Sequence, residues 1–421
     1  MRIGLLTAAT LASCSLALAQ NGWGTPECPG IVVSGDFNAD GCDDVLVLGI
    51  RGPSRTYYGQ KAKPYFKAGP QWFREGFMSL GDVPLFVGKH LYLPIRDAWT
   101  RTTRIQIYSH KGTLWTADRT VYLTTKSTSA KITSVKITGL GKDVNKDKLE
   151  DIMVVWAQSP LTTSAAYYAA YVSPSGIHKQ LTIPKPTRHH RDALVADVHL
   201  SHSLTKPKAE FVVTLSAPYR ALRGGFGFLI LKDGPTIGKT VWVPNASPLD
   251  NGGLSPSNSA CAYGHFGLMP QLGAPLIKLD RGESILFEPW FVAPYVRNRG
   301  EVLYSARTGT ILDSCTADYD GDGVDEIVLM EHFGIWKPSL LYIGDPSTKR
   351  PYVQAINLWT DRRYTSPYVF HGTKGDFNGD GLLDLMLSYS RGENSKEIGY
   401  SALWLGNRSD GPKKAALRRV H

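Results

Sequence analysis

The sequence predicts an all-β fold, a seven-bladed β-propeller, on three observations. One acidic turn pattern occurs four times, each copy runs directly into a short apolar strand, and the spacing between copies is close to a multiple of one repeat length. Composition agrees. Across 421 residues, Gly 42 and Pro 26 favour turns over long helices, while 42% hydrophobic and 20% charged side chains exclude disorder, collagen and coiled coil.

The N-terminus reads as an export signal over residues 1–19. Arg2 supplies the positive region, Ile3 to Leu18 form an uncharged apolar stretch, and Ala17-Leu18-Ala19 is a small-x-small cleavage site. That stretch is shorter than the ~20 residues of a membrane helix, and no later segment is a better candidate, so no transmembrane segment is expected. Leu11-Ala12-Ser13-Cys14 offers an alternative, a lipid anchor on Cys14 at the cell surface. Secretion is the expectation, with residues 20–421 forming a single propeller domain. Losing Arg2 lowers the net charge from +10 to +9, and losing Cys14 leaves Cys28, Cys42, Cys261 and Cys315.

The four turns come next. Asp36-Phe-Asn38-Ala-Asp40-Gly41-Cys42-Asp43-Asp44 precedes Val-Leu-Val-Leu, and Asp143-Val-Asn145-Lys-Asp147-Lys148-Leu149-Glu150-Asp151 precedes Ile-Met-Val-Val. Asp318-Tyr-Asp320-Gly-Asp322-Gly323-Val324-Asp325-Glu326 precedes Ile-Val-Leu-Met, and Asp376-Phe-Asn378-Gly-Asp380-Gly381-Leu382-Leu383-Asp384 precedes Leu-Met-Leu-Ser. Oxygen-bearing side chains at positions 1, 3, 5 and 9, with a backbone carbonyl at position 7, suit a hard cation taking six to eight oxygens at roughly 2.3–2.6 Å. Glycine at position 6 permits a turn at positive φ; Lys148 replaces it in the second copy, which ranks that site weakest. An EF-hand would need an acid at position 12, where Val47, Val154, Leu329 and Leu387 stand instead, and it would need helical flanks.

Spacing sets the repeat count. The turns start at 36, 143, 318 and 376, at intervals of 107, 175 and 58 residues. Halving the first interval and dividing the second by three gives about 54 and about 58 residues, so three worn repeats should lie between the visible ones. Candidates are Val83 to Tyr108, Leu194 to Leu215 and Ser259 to Leu279. A repeat of that length, with two further strand-like runs after the turn and its strand, is a blade of four antiparallel strands. In the third repeat these strands are expected at 131–140, 151–157, 165–173 and 178–183. The strand after each turn is apolar on both faces, as expected when blades stack face to face.

These turns resemble the FG-GAP or VCBS repeats of the integrin alpha N-terminal propeller family. In that family the turn joins the first and second strands of a blade and holds calcium. The resemblance spans 31–410 and implies up to four structural calcium ions. It implies ligands Asp36, Asn38, Asp40, Cys42 by its carbonyl, and Asp44; then Asp143, Asn145, Asp147, Leu149 by its carbonyl, and Asp151. The third set is Asp318, Asp320, Asp322, Val324 by its carbonyl, and Glu326; the fourth is Asp376, Asn378, Asp380, Leu382 by its carbonyl, and Asp384. Asp197 and Gly264 stand at worn turn starts without acidic partners.

Cys261 lies three residues before Gly264 and Cys315 three before Asp318, equivalent places on innermost strands of adjacent blades. A Cys261–Cys315 disulfide is the preferred pairing, with two buried thiols as the alternative and Cys28–Cys42 following by elimination. His189, His190, His199 and His202 fit no compact ligand spacing. Aromatic pairs such as Tyr57-Tyr58, Trp72-Phe73 and Tyr167-Tyr168 either fill layers between blades or stand ready to stack on sugars. Basic clusters at Thr187–Arg191 and Lys413–Arg419 suit anionic polymers, but no nucleic-acid-binding module appears and nucleic acid is not an expected partner.

No G-x-S-x-G, H-E-x-x-H or phosphate loop occurs. The expected function is therefore a monomeric, non-catalytic adhesion or recognition module for an extracellular glycan or protein. The alternative is an extracellular polysaccharide lyase or phosphodiesterase-like hydrolase on the same propeller, with calcium acting as Lewis acid.

Overall fold

The computed structural model describes residues 30–49, 54–72, 83–96, 102–123, 131–159, 166–183, 194–201, 210–217, 225–232, 236–244, 261–264, 274–278, 283–286, 301–305, 309–333, 337–344, 352–357, 370–393, 396–408 and 417–419. The signal, Cys14, Cys28, His189, His190, His202 and the cluster 187–191 lie outside them, as do the side chains of His199 and Cys261 and the wider 413–419 cluster. Among the described residues no helix is long and apolar enough to cross a membrane.

The chain is an all-β β-propeller. Its described strands pair into four-stranded antiparallel sheets, and within each sheet the strands follow one another in sequence order. Seven such sheets begin at Gly30, Leu85, Lys131, Leu194, Cys261, Gly309 and Phe370, and are called sheets 1 to 7 below. Sheet 3 comprises Lys131–Gly139, Ile152–Ser159, Ala166–Ser173 and Gly176–Ile183, close to the bounds expected from the repeat.

Side-chain packing shows why the second strands are apolar throughout. In sheet 1 the strand Asp44–Gly49 is buried along its whole length. Alternate residues point to opposite faces of a strand. Leu46 and Leu48 accordingly pack with Leu91, Leu93 and Ile95 of sheet 2. Val45 and Val47 pack with Phe377, Met386 and Leu403 of sheet 7. A third layer joins Tyr92, Ile105 and Ile107 of sheet 2 to Ile152, Val154 and Trp156 of sheet 3. Fully burying each large apolar side chain contributes about 1.5–3 kcal/mol, so a polar residue on either face of these strands would weaken a layer. The three layers join four consecutive sheets, 7, 1, 2 and 3; among the described side chains, packing at this level covers four blades rather than the seven expected.

Contacts between first strands also link sheet 1 to sheet 7. Ser34 Oγ lies 2.7 Å from Thr373 Oγ1, and Val32 N donates to His371 Nδ1 at 3.3 Å. The aromatic pairs largely fill layers. Tyr57, Tyr167 and Tyr168 are buried, and Trp72 meets Tyr108 edge-on at 4.9 Å between ring centroids.

Cys42 and Cys315 are both buried, and their preferred partners, Cys28 and the Cys261 side chain, lie outside the described residues. Cys42 sits on the turn after the first strand of sheet 1 and faces sheet 7, where a Cβ added to Gly379 would lie 3.0 Å from its sulfur. Burial, reinforced by Asp40, pushes the Cys42 thiol up and so disfavours the thiolate that exchange needs. Cys315 lies beside Tyr319 of its own sheet.

Candidate metal centres

All four acidic turns join the first and second strands of their sheets, at 36–43, 140–151, 318–325 and 376–383. The local sequence builds the turn by itself. Asp36 accepts hydrogen bonds from the N–H groups of Asp40 and Gly41 at 3.1 and 3.0 Å, Asn38 Oδ1 accepts from Asp40 N, and Asp40 Oδ1 accepts from Cys42 N. Short side chains that capture nearby backbone N–H groups hold such a turn without strand pairing. Asp318, Asp320 and Asp322 repeat the pattern, as do Asp376, Asn378 and Asp380, and Asp143, Asn145 and Asp147. Position 7, held by Cys42, Leu149, Val324 and Leu382, donates its N–H to the position-5 aspartate in every copy.

Left-handed backbone occurs at position 6, as expected, and also at position 4. Gly41, Gly323 and Gly381 have φ of 86°, 90° and 85°, and Gly321 and Gly379 have 77° and 68°. In the second turn both places are lysine, Lys146 at 64° and Lys148 at 68°. A residue with a Cβ is held there at a cost of roughly 1–2 kcal/mol.

Position 9 separates the turns. Asp44 Oδ2 accepts from Phe37 N and Oδ1 from Gly59 N, both at 2.9 Å, tying the turn to the third strand. Asp384 does the same with Phe377 N at 3.0 Å and Gly406 N at 2.8 Å. Burial pushes both carboxyls up to about 7, against the opposing pull of those N–H donors. Glu326 is one methylene longer. Its Oε2 accepts from Tyr319 N at 2.8 Å, and burial, aided by Asp320, Asp318 and Asp322, pushes its carboxyl up to about 9.

One consequence is a cluster. Asp318, Asp320, Asp322 and Glu326 each bring an oxygen within 4.8 Å of the others, and among the described residues no other group of three or more acids, cysteines or histidines comes so close. In the first and fourth turns the amide nitrogens of Asn38 and Asn378 instead donate to Asp40 and Asp380 at 2.9 Å. In the second turn Asn145 turns toward the hairpin at 173–178. An all-oxygen donor set is chemically suited to a hard divalent cation.

Sequence reasoning missed how the turns touch. Asp43 N donates to Asp376 O at 2.8 Å, and Asp376 N donates to Asp43 Oδ2 at 2.9 Å, so the first and fourth turns clasp each other. Asn407 N donates to Tyr319 O at 3.1 Å, and Leu382 lies against Gly321. The turns of sheets 6, 7 and 1 thus form one continuous row. The adjacent pair Asp43-Asp44 was the available signal, since only one of two neighbours on a strand can face the turn.

No protein-family model and no curated protein matches the chain. Among solved structures, BBS1N in complex with ARL6DN aligns over 93% of this chain and 97% of its own at 8% identity, with a TM-score of 0.51. The Dos1 propeller aligns over 95% and 97% at 8% identity and 0.41, and Trypanosoma rangeli sialidase in complex with sialic acid over 89% and 54% at 7% identity and 0.43. At such identities the likeness concerns the fold alone.

Proposed function

We propose that this chain is a secreted, calcium-stabilised propeller of seven blades that recognises an extracellular glycan or protein without turning it over. The observation that carries the metal assignment is the convergence of Asp318, Asp320, Asp322 and Glu326 within 4.8 Å. With the Val324 carbonyl they would hold the principal ion. The sets Asp36, Asn38, Asp40, Asp44 and Asp376, Asn378, Asp380, Asp384 would hold weaker ones after their amides turn. When bound, calcium neutralises the clustered carboxylates and cross-links the first two strands. An ion that binds only the folded form raises stability by mass action.

Seven-fold closure is supported by the run of contacts between successive first strands, from sheet 1 through sheet 7 and back to sheet 1. Recognition is supported by the architecture: rigid sheets carry connecting loops at the surface, where binding residues concentrate. The BBS1N propeller was itself solved with a protein partner.

The test is an array of glycans and matrix proteins probed with the full chain, with and without chelator, beside activity screens on acidic polysaccharides and phosphodiesters. Calcium-dependent binding without turnover is the expected result. Turnover would replace this reading with the lyase or hydrolase alternative.

A further inference from the structure

Sheets 1 and 7 stand at opposite ends of the described chain and meet without a strand in common, since each is built only from its own four consecutive strands. Side chains and turns must fasten this junction. Asp43 grips the backbone of Asp376 twice, giving its own N–H to the carbonyl at 2.8 Å and accepting the Asp376 N–H on Oδ2 at 2.9 Å. Asp376 is the first residue of turn 376–384. The Asp43 N–H in turn belongs to the same planar peptide unit as the Cys42 carbonyl, which is an expected ligand of turn 36–44. One rigid unit thus presents an oxygen within the first turn and a donor to the fourth.

The approach is close. A Cβ on Gly375 would lie 2.8 Å from Asp43 Oδ2, and one on Gly59 would run into the carbonyls of Asp43 and Phe377. Neither glycine has left-handed backbone, so what each supplies is room. The same packing recurs between sheets 6 and 7, where a Cβ on Gly406 would meet the carbonyls of Leu383 and Tyr319. Leu383 holds the place of Asp43 there, and its side chain has no acceptor. The carboxylate grip is an addition to a shared contact, made where the two ends of the chain meet.

We propose that Asp43 is a positioning residue for calcium at turn 376–384, so that the ion site of sheet 7 is complete only when sheet 1 is seated against it. This rests on the calcium reading of the turns. Asp376 supplies position 1 of that set, and its carboxylate also organises the turn by accepting from Asp380 N and Gly381 N. Holding its backbone fixes the point from which both roles are played. Outer partners that orient a metal ligand change affinity by roughly 10–100-fold. By linkage, an ion that binds better when the junction is closed favours the closed junction to the same degree. Calcium at this turn fastens the first sheet to the last.

The experiment titrates calcium by calorimetry into the chelator-treated full chain and into variants that assign the binding steps. Asp380→Asn removes the step of turn 376–384 and Asp40→Asn that of turn 36–44; both residues are exposed. Asp43→Ala should weaken the former step by about tenfold and leave the latter nearly unchanged. Asp43→Asn keeps an oxygen for the Asp376 N–H and should restore most of the affinity. Hydrogen exchange is the second readout. Calcium should slow exchange in Gly30–Gly35 and Phe370–Gly375 in the native chain and in Asp43→Asn, and not in Asp43→Ala. Thermal melting establishes that the variants fold. Equal weakening by Asp43→Ala and Asp43→Asn would overturn the proposal, because charge rather than position would then carry the effect. So would an Asp43→Ala chain that binds calcium at turn 376–384 as the native chain does. Absence of any calcium step would overturn the calcium reading as well, which separates that failure from loss of the Asp43 effect alone.

Discussion

Turns 318–326 and 143–151 share a backbone path, held by the same ladder of aspartate-to-backbone hydrogen bonds, yet their side chains converge on different chemistry. The former has glycine at both left-handed positions, a carboxylate at position 3 and a glutamate at position 9, and four carboxylates meet. The latter has lysine at both left-handed positions and an asparagine at position 3, and its open side is closed by a histidine and two serines from the next hairpin. The difference teaches that a repeat can keep its turn for the sake of the strand connection while the side chains that gather inside it change. The turn holds itself together through backbone N–H groups, so the inward-facing atoms are free to change.

The largest expected effect follows from adding calcium to chelator-treated protein. At a free concentration one hundred times the dissociation constant, one site stabilises by about 2.7 kcal/mol. In thermal melts Asp318→Asn or Asp322→Asn should remove most of this gain, whereas Asp143→Asn should leave it nearly intact. Equal losses in the two turns would break the comparison.

A pH series sharpens it. Glu326 is pushed up to about 9 when folded, against an ordinary value of 4.5. A carboxyl raised in the folded state binds its proton more tightly there than in the unfolded chain. Its contribution is complete below the ordinary value and is lost as pH rises toward about 9. Calcium-free protein should therefore melt lower at pH 8 than at pH 5. Glu326→Gln should reduce that slope, and saturating calcium should flatten it. An unchanged slope in Glu326→Gln would place the pH dependence elsewhere, with Asp44 and Asp384, each raised to about 7, as the next groups to replace.

A smaller effect concerns backbone alone. Lys148→Gly removes a side chain from a left-handed position and should stabilise by about 1 kcal/mol, an increase in melting temperature of about 1 °C for a chain of this length. The equivalent Gly323→Lys should destabilise by a similar amount. The smallest is Asp43→Ala, which removes one hydrogen bond between the first and fourth turns and should cost about 1 kcal/mol, with no change in the calcium response of turn 318–326.

Much of the architecture was legible in the residues. The oxygen spacing marked the four turns, and the unbroken apolar runs after them marked strands covered on both faces, as Val45 and Leu46 are on opposite sides of one strand. Less of the site was legible. Position 9 was read as a ligand in every copy; what the residue order did not show is that Asp44 and Asp384 also accept backbone N–H groups with both oxygens, while the longer Glu326 joins a carboxylate cluster. The cysteine pairing turns on Cys28 and the Cys261 side chain, which lie outside the described residues.

By itself, then, the amino-acid order determined the turns, the strands that follow them and the repeat that relates them, because each depends on hydrogen bonds and side-chain alternation reaching only a few residues along the chain. Only the tertiary structure decided which donors meet. His178 reaches Asn145 because an antiparallel hairpin folds back over an earlier turn, and Asp43 clasps Asp376 because the first and last sheets lie side by side. Charge and coordination act through space within a few ångströms, and chain folding alone sets those distances.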